Sequence, residues 1–488
     1  MTRHRTAIAL TSLLTLGAVT VGIPAVAAPT GPAVRTSAPT TAPTAPPTAP
    51  PTAPPTTAPT AAPTAAPTTA HVTEPASTVV DALDRASHRL RTVETGGHTR
   101  DLRPLDRMIG DARVVGLGEA THGSHEFFAL KHRVFRHLVE EQGFRTFALE
   151  APWSTGLRLN AYVLRGEGDP RRIMREEFQR DYLWWNNTEY LALVEWMRAY
   201  NLRHPDDPVQ FMGDDFAWAG PELYDEVTGY VARAHPGLLA RFTALYRGLR
   251  PTTAAGAYIE QYLRMPYAER KERADRTGQA LKLLKRQAPG SDRAAYDWAV
   301  RHATAIDQTA RGYAFDFEDP EQLRAALRFR DSVMADNVAW WAEHTGNKVL
   351  LSAHNGHVAY VPDDPVHYPK MQGAFLRDRF GDGYVSIGFT FARGSFHATG
   401  PEGEVRRFTV GPAGPGSNER TLDRVRHRDY VVDLRTAPQP ARNWLRAAQP
   451  TRSIGTAYPE PEHDVALARS HDVLIHLHRV EAAHLRDR

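Results

Sequence analysis

Four short apolar runs punctuate the chain, at Arg113-Val114-Val115-Gly116-Leu117-Gly118, Thr146-Phe147-Ala148-Leu149, Val209-Gln210-Phe211-Met212 and Lys348-Val349-Leu350-Leu351-Ser352. Each is too short for a helix and too apolar for a loop, so each reads as a buried strand. Helix-length segments separate the runs, and strands joined through helices pair in parallel. The expected fold is therefore α/β, with a mainly parallel central sheet flanked by helices. Ligand crevices in such sheets open beyond the carboxyl ends of the strands. Glu119, His122, Glu150, Asp214, His354 and His357 all follow such ends.

Periodicity predicts helices over 124–142, closed by Gly143, and over 155–164 and 189–203. The strand–helix–strand unit across 113–150 sets its two strands parallel, with Glu119 and Glu150 at one edge. From about 221 to 344 there is only Arg-, Ala- and Leu-rich helical periodicity, which predicts a helical insertion subdomain. Strand patterns return at 384–390, 430–434 and 473–477, with helices near 370–380 and 441–447.

The first 70 residues stand outside this pattern. Residues 1–27 have the form of an export signal: cationic Arg3 and Arg5, an apolar stretch over 7–23, and Ala25-Val26-Ala27, with cleavage expected after Ala27. An uncleaved membrane anchor is the other reading, disfavoured by Gly17, Gly22 and Pro24 within a short apolar run. Residues 28–70 are almost entirely Pro, Thr and Ala. Proline fixes φ and removes a donor, and little apolar bulk is present to bury, so a disordered, extended spacer is expected. The folded domain is then 71–488, secreted or extracellular, with cell-envelope association equally compatible.

The formal charge of +3 rests on that leader. Without Arg3, Arg5 and Arg35 the remainder is near neutral, so no basic face for nucleic acid follows. Cysteine is absent, which excludes thiolate nucleophiles, disulfides and cysteine-bound zinc. Neither Gly-x-Ser-x-Gly, His-Glu-x-x-His nor a phosphate-cradling Gly-x-x-x-x-Gly-Lys-Ser/Thr occurs, so covalent serine or cysteine catalysis is disfavoured. What remains is a histidine able to take a proton from water, with a carboxylate to fix its tautomer and stabilise the imidazolium. The set His122, His354, His357 and Glu150 also suits a divalent metal with one position open to water. In a purely structural alternative, His354 and His357 cap a tight Asn355-Gly356 turn.

Gly118-Glu119-Ala120-Thr121-His122-Gly123, Glu126-Phe127, Leu138-Val139-Glu140, Gly143-Phe144 and Glu150 are followed by Trp185-Asn186-Asn187-Thr188-Glu189, Trp196 and Arg198-Ala199-Tyr200-Asn201. Arg330-Asp331, Met334, Asn337, Ala353-His354-Asn355-Gly356-His357, Met371-Gln372-Gly373, Gly381-Asp382-Gly383-Tyr384 and Gly388 come later. In this order the segments resemble the erythromycin esterase family, from about residue 71 to the C-terminus. The resemblance implies an α/β core with a helical subdomain and a hydrolase that opens lactone esters with water. It also implies His122 as general base, Glu119 and Glu150 as acidic partners and His354 in the same pocket, with His357 nearby. Nine residues after His122 stands Lys131, where some macrolide-cleaving members carry arginine; a mobile point charge replaces a rigid fork.

Other residues are read from their positions. Trp184 and Trp185 offer stacking surface for a bulky substrate, although aromatics near a helix start commonly serve packing. One of Asp214 and Asp215 is expected in the pocket, Asp214 being the candidate, with capping or turning as the alternative role. His354, His357 and Lys131 are candidates for holding an oxyanion. His476 and His478 are expected to be ordinary sheet residues. A small-molecule ester or lactone is the expected partner. No cofactor follows firmly, and a divalent metal stays open. The non-enzymatic alternative is an envelope-associated protein that binds iron, haem or a small molecule.

Overall fold

Period-two alternation decides which way each strand of this protein faces. The computed structural model describes residues 77–487, so the leader 1–27, the spacer 28–70 and residues 71–76 lie outside the described residues. The strands in chain order are β1 (Ser87–Arg89), β2 (Val114–Leu117), β3 (Phe144–Pro152), β4 (Gln210–Asp215), β5 (Lys348–Ser352), β6 (Tyr384–Thr399), β7 (Val405–Val410), β8 (Tyr430–Asp433), β9 (Gln449–Thr451), β10 (His463–Val465) and β11 (Val473–Val480). The helices that bear on the site are α1 (His125–Gln142), α2 (Trp153–Arg165), α3 (Thr188–Arg203), α4 (Pro221–Ala234), α5 (Arg293–Gly312), α6 (Pro320–Thr345) and α7 (Gln372–Phe380).

Nine strands form one sheet in the order β1-β8-β11-β6-β2-β5-β3-β4, with β7 paired to β6. The stretch from β11 through β6, β2, β5 and β3 to β4 is parallel throughout. β8, β1 and β7 join it antiparallel. The fold is thus α/β with a mostly parallel central sheet.

Val114, Val349 and Leu351 face one layer, packed with Tyr224 of α4, Ile306 of α5 and Trp341 of α6. Val115, Leu117, Leu149 and Leu350 face the other, packed with Phe127 and Val134 of α1 and Val194 of α3. Each such side chain contributes roughly 1.5–3 kcal/mol on burial. Helices fill 221–345; most belong to the first of these cores and form the layer over that face of the sheet, while 255–264 packs Tyr258, Ile259 and Tyr262 into the second.

Three features depart from the sequence reading. β5 inserts between β2 and β3, so the strand–helix–strand unit has parallel but non-adjacent strands. β6 runs for 16 residues and turns into the hairpin with β7; the second half of β6 mixes Arg393, Ser395 and His397 with its apolar residues, which hides it from a search for apolar runs. β4 continues through Asp214 and Asp215, because both carboxyl groups find partners in the interior and neither turns the chain.

α2 lies directly on β4. A Cβ at Gly156 would stand 1.9 Å from the Gly213 nitrogen, and one at Gly213 would stand 2.2 Å from the Pro152 carbonyl oxygen. Backbone cannot give way as a side-chain tip does, so the helix must lift. Gly156→Ala is expected to destabilise the fold by about 3 kcal/mol, read as a lower urea midpoint at unchanged slope. A wild-type midpoint would show that this approach is not tight.

Candidate active site

The strand order places four loaded strand ends side by side. β2 delivers Glu119 and His122, β5 delivers His354 and His357, β3 carries Glu150, and β4 carries Asp214 and Asp215. Because β2, β5, β3 and β4 are parallel, all these groups emerge at one edge.

The segment after β2 is pinned by its backbone. Asn355 N–H donates to the Glu119 carbonyl at 2.9 Å and Ile454 N–H to the Ala120 carbonyl at 2.8 Å. Gly118 is needed here, since a Cβ would stand 2.2 Å from Asn355 Oδ1. Asn355 Oδ1 accepts from Phe389 N–H at 2.9 Å and its Nδ2 donates to the Phe389 carbonyl at 2.7 Å. The Asn-Gly pair therefore ties β5 to β6 as well as turning the chain.

His122 Nδ1 meets Glu119 Oε1 at 2.6 Å, and Nε2 has no hydrogen-bond partner among the described residues. With Nδ1–H donating to Glu119, the Nε2 lone pair is the free basic site. Lys131, from α1, donates to Glu119 Oε2 from behind, and also to Ser352 Oγ at 3.0 Å and the Ala353 carbonyl at 3.2 Å. Burial lowers the affinity of this ammonium for its proton, against the pull of Glu119. Trp185 packs edge-on against the His122 ring with centroids 5.0 Å apart, and its Nε1–H donates to the Glu150 carbonyl at 2.7 Å.

The His354 ring lies 5.0 Å from that of His122, centroid to centroid. Its Nδ1 accepts from Gly356 N–H at 3.2 Å. Burial first, then the neighbouring His122, hold this imidazole well below its usual range, so it is neutral. A neutral ring whose Nδ1 accepts carries its proton on Nε2, and that buried nitrogen has no partner. An unpaired buried donor is costly unless something transient uses it.

Glu150 sits between the histidines. Its Oε2 accepts from His354 N–H at 3.0 Å and its Oε1 from Arg330 Nη2 at 2.9 Å, with His357 Nε2 at 3.2 Å. Burial would raise its pKa; the charge and hydrogen bond of His357, with the charge of Arg330, outweigh this and hold it well below the carboxylate range. Burial likewise opposes protonation of His357, but Glu150 and Asp331 raise it to about 10. Asp331 Oδ1 meets His357 Nδ1 at 2.8 Å. A neutral His357 would instead accept from Arg330 Nη1 at 3.2 Å. Glu150 and Asp215 pair with the one guanidinium while Glu150 and Asp331 flank His357, and that excess of carboxylates over arginine favours the imidazolium.

Sequence reasoning gave Arg330 and Asp331 no site role, and of the Asp214–Asp215 pair it chose Asp214. Arg330 donates to Asp215 Oδ2 from Nε at 3.0 Å and from Nη2 at 2.7 Å, and Tyr182 adds its hydroxyl at 2.8 Å. The available signal was a pair of charges in the buried stripe of α6, between Leu327 and Met334. Asp214 stands apart from this set: Gln372 Nε2 donates to its Oδ2 at 2.7 Å, and burial and then Asp215 push its carboxyl well above the carboxylate range. Asp215, not Asp214, is thus linked to Glu150. Lys131 and His357 are also corrected as oxyanion donors, since both are fully buried with their N–H groups already directed at protein acceptors. Among the candidates, His354 alone keeps a free donor.

The proposed metal set is not arranged as ligands. Among the described residues the one group of three His or carboxylate side chains with donor atoms mutually within 4.8 Å is His125, Glu189 and His484, outside this cluster. His122, His354, His357 and Glu150 are instead interleaved with the cations of Lys131 and Arg330.

The erythromycin esterase family model matches residues 139–480, more than two thirds of the chain. The chain belongs to the erythromycin esterase family. The matched span holds Glu150, Arg330, His354 and His357 and begins after Glu119, His122 and Lys131. Erythromycin esterase type II of Escherichia coli is 25% identical over 364 residues, covering 70% of this chain and 84% of that relative. A putative hydrolase, YbfO, of Bacillus subtilis strain 168 is 23% identical over 409 residues, covering 78% and 86%. Among solved structures, a succinoglycan biosynthesis protein aligns with a TM-score of 0.75 and 30% identity over 84% of this chain and 98% of its own. An erythromycin esterase mutant in its open conformation shares the fold, with a TM-score of 0.67 and 19% identity over 82% of this chain and 100% of its own. Membership of this family suggests an esterase or, more broadly, a hydrolase acting on a small molecule.

His357 gives this member of the family a pH signature. It is protonated in the fold up to about pH 10 but in the unfolded chain only to about 6.5, so its stabilising contribution is complete below pH 6.5 and is lost as pH rises toward 10. Glu150 acts in the opposite sense, its contribution fading only as pH falls below the carboxylate range. Wild-type urea midpoints are expected to fall from pH 6.5 toward 10. His357→Gln should be less stable by about 3–5 kcal/mol at pH 6.5 and fall less steeply above it, the slope that remains belonging to His125. Parallel profiles for the two proteins would mean that His357 is not held as a cation.

Proposed function

We propose that this protein is an exported hydrolase that cleaves a carboxylic ester or lactone with a water activated by His122. The observation that carries the reading is the pairing of two imidazoles in opposite roles 5.0 Å apart. His122 has Nδ1 on Glu119 and a free Nε2, while His354 is a neutral ring with an unused Nε2–H.

In this mechanism His122 Nε2 takes a proton from water as the water oxygen bonds to the carbonyl carbon. The carbonyl π electrons move to oxygen, and His354 Nε2–H donates to that oxyanion. Glu119 stabilises the His122 imidazolium, and Lys131 holds Glu119 in place by a hydrogen bond to its other oxygen. As the tetrahedral centre collapses, the C–O bond to the alcohol breaks and His122 returns its proton to the leaving oxygen. Glu150 holds His354 through its backbone N–H and supplies negative charge near His122. No covalent enzyme intermediate is formed.

Export rests on the leader at 1–27 and the spacer at 28–70. The substrate class rests on family membership, so macrolides are one candidate among lactones and esters. His122 and His354 are only 2% and 1% exposed, so a substrate reaches them when the covering segments move aside.

Incubating the mature protein with a panel of lactones and esters, read by mass spectrometry for addition of water, tests the activity. On any substrate turned over, His122→Ala is expected to lower kcat/KM by about a hundred- to ten-thousand-fold with an unchanged circular dichroism spectrum. Folded His122→Ala with full activity would end the proposal. His354→Ala is expected to lower kcat by about a hundred- to a thousand-fold with little change in KM, as fits a donor used in the transition state. A change confined to KM would make His354 a substrate-binding group instead.

A further inference from the structure

Outside the hydrolytic cluster, three distant parts of the chain bring imidazole and carboxylate together. His125 opens α1, Glu189 lies in the first turn of α3, and His484 belongs to the C-terminal segment after β11. His125 Nδ1 and His484 Nδ1 converge on the same oxygen, Glu189 Oε1, at 2.6 and 2.7 Å, and the two rings meet edge-on with centroids 5.1 Å apart. The hydrolytic mechanism uses none of the three.

We propose that His125, Glu189 and His484 form a binding site for a divalent transition-metal ion of the zinc class, which clamps the C-terminal segment against the loops that carry His122 and Trp185. Two imidazole nitrogens and one carboxylate oxygen are the donor types zinc takes, with a fourth position left to water. The three donor atoms already lie within 4.8 Å of one another. Around a tetrahedral ion they would be about 3.4 Å apart, so the present contacts need to open by less than about 1 Å.

A second observation supports the assignment. His125 Nε2 lies 3.1 Å from Glu94 Oε1, so once a metal replaces the Nδ1 proton the outer ring N–H already has a carboxylate acceptor. A carboxylate behind a metal-bound histidine is the usual means of fixing its tautomer. A dication displaces the Nδ1 protons and supplies the positive charge that Glu189 already attracts.

The clamp has a mechanical consequence. Ala483 N–H donates to the Gly123 carbonyl at 2.9 Å, beside His122, and Arg486 N–H to the Asn186 carbonyl at 2.8 Å, beside Trp185. His125 N–H donates to the Glu481 carbonyl at 2.8 Å and Thr188 N–H to the His484 carbonyl at 3.0 Å. A metal at His484 would tether this strap at its middle.

The test is independent of the hydrolytic reading. Untagged full-length protein, stripped with chelator, is dialysed against zinc ion at micromolar concentration and its bound metal is measured by elemental analysis. One equivalent is expected in the wild type and in His122→Ala. His484→Ala is expected to lose it, or to bind at least tenfold more weakly; that side chain is 67% exposed, so the fold is not at stake. Wild type without bound zinc would overturn the proposal. So would zinc that persists in His484→Ala, or that disappears in His122→Ala.

Discussion

The buried guanidinium of Arg330 makes the rest of the site affordable. Glu150, Asp215 and Asp331 come from two strands and a helix, and three carboxylates cannot share a dry interior without counter-charge. Arg330 donates to two of them directly, and His357 becomes a cation between Glu150 and Asp331. Because Arg330 and Asp331 lie on α6 while Glu150 and Asp215 lie on β3 and β4, the same charges that balance the site also lock the helical layer onto the sheet. Replacing one partner would leave the others buried and uncompensated, so the network fixes geometry more than it adds net stability.

A second, smaller balance surrounds His122. Lys131 has three protons and three acceptors: Glu119 Oε2, Ser352 Oγ and the Ala353 carbonyl. An ammonium is fully satisfied there. An arginine at this position would bring five donors in a rigid fork to a pocket with three acceptors, so its extra donors would have to reach elsewhere. The lysine is therefore fitted to holding Glu119 from behind, and this arrangement gives it no contact with substrate. Glu119 in turn presents one oxygen to Lys131 and the other to His122, which fixes the orientation of the imidazole.

Much of this was legible in the sequence because strand ends are local features. Gly118 through His122, Glu150 and His354 each follow an apolar run, and a parallel sheet gathers such ends whatever the strand order. What the runs do not contain is the order itself: β5 lies some two hundred residues beyond β3 in the chain yet enters between β2 and β3, and it is this entry that sets His354 beside both His122 and Glu150. Arg330 and Asp331 escaped because helical periodicity records only that a face is buried, and a charge on that face reads as noise until its partners are known. Asp214 and Asp215 are adjacent and chemically identical in sequence. Only the interior distinguishes them, giving one an arginine and the other a glutamine. The C-terminal strap, Glu481 to Asp487, carries neither an apolar run nor a helical repeat, so nothing marked it as a neighbour of the catalytic loops.

That strap is tied to the segments that carry His122 and Trp185. Four backbone hydrogen bonds hold it to Gly123, His125, Asn186 and Thr188. Glu481 N–H also donates to Glu126, Ala482 N–H to Ser395 and His484 N–H to Glu189. Local opening of the strap would have to break these bonds together. The loops beneath need not follow, because Gly123 also accepts from His397 N–H at 3.0 Å and Ala120 from Ile454. His122 and His354 can therefore stay registered to one another through these bonds if the strap moves.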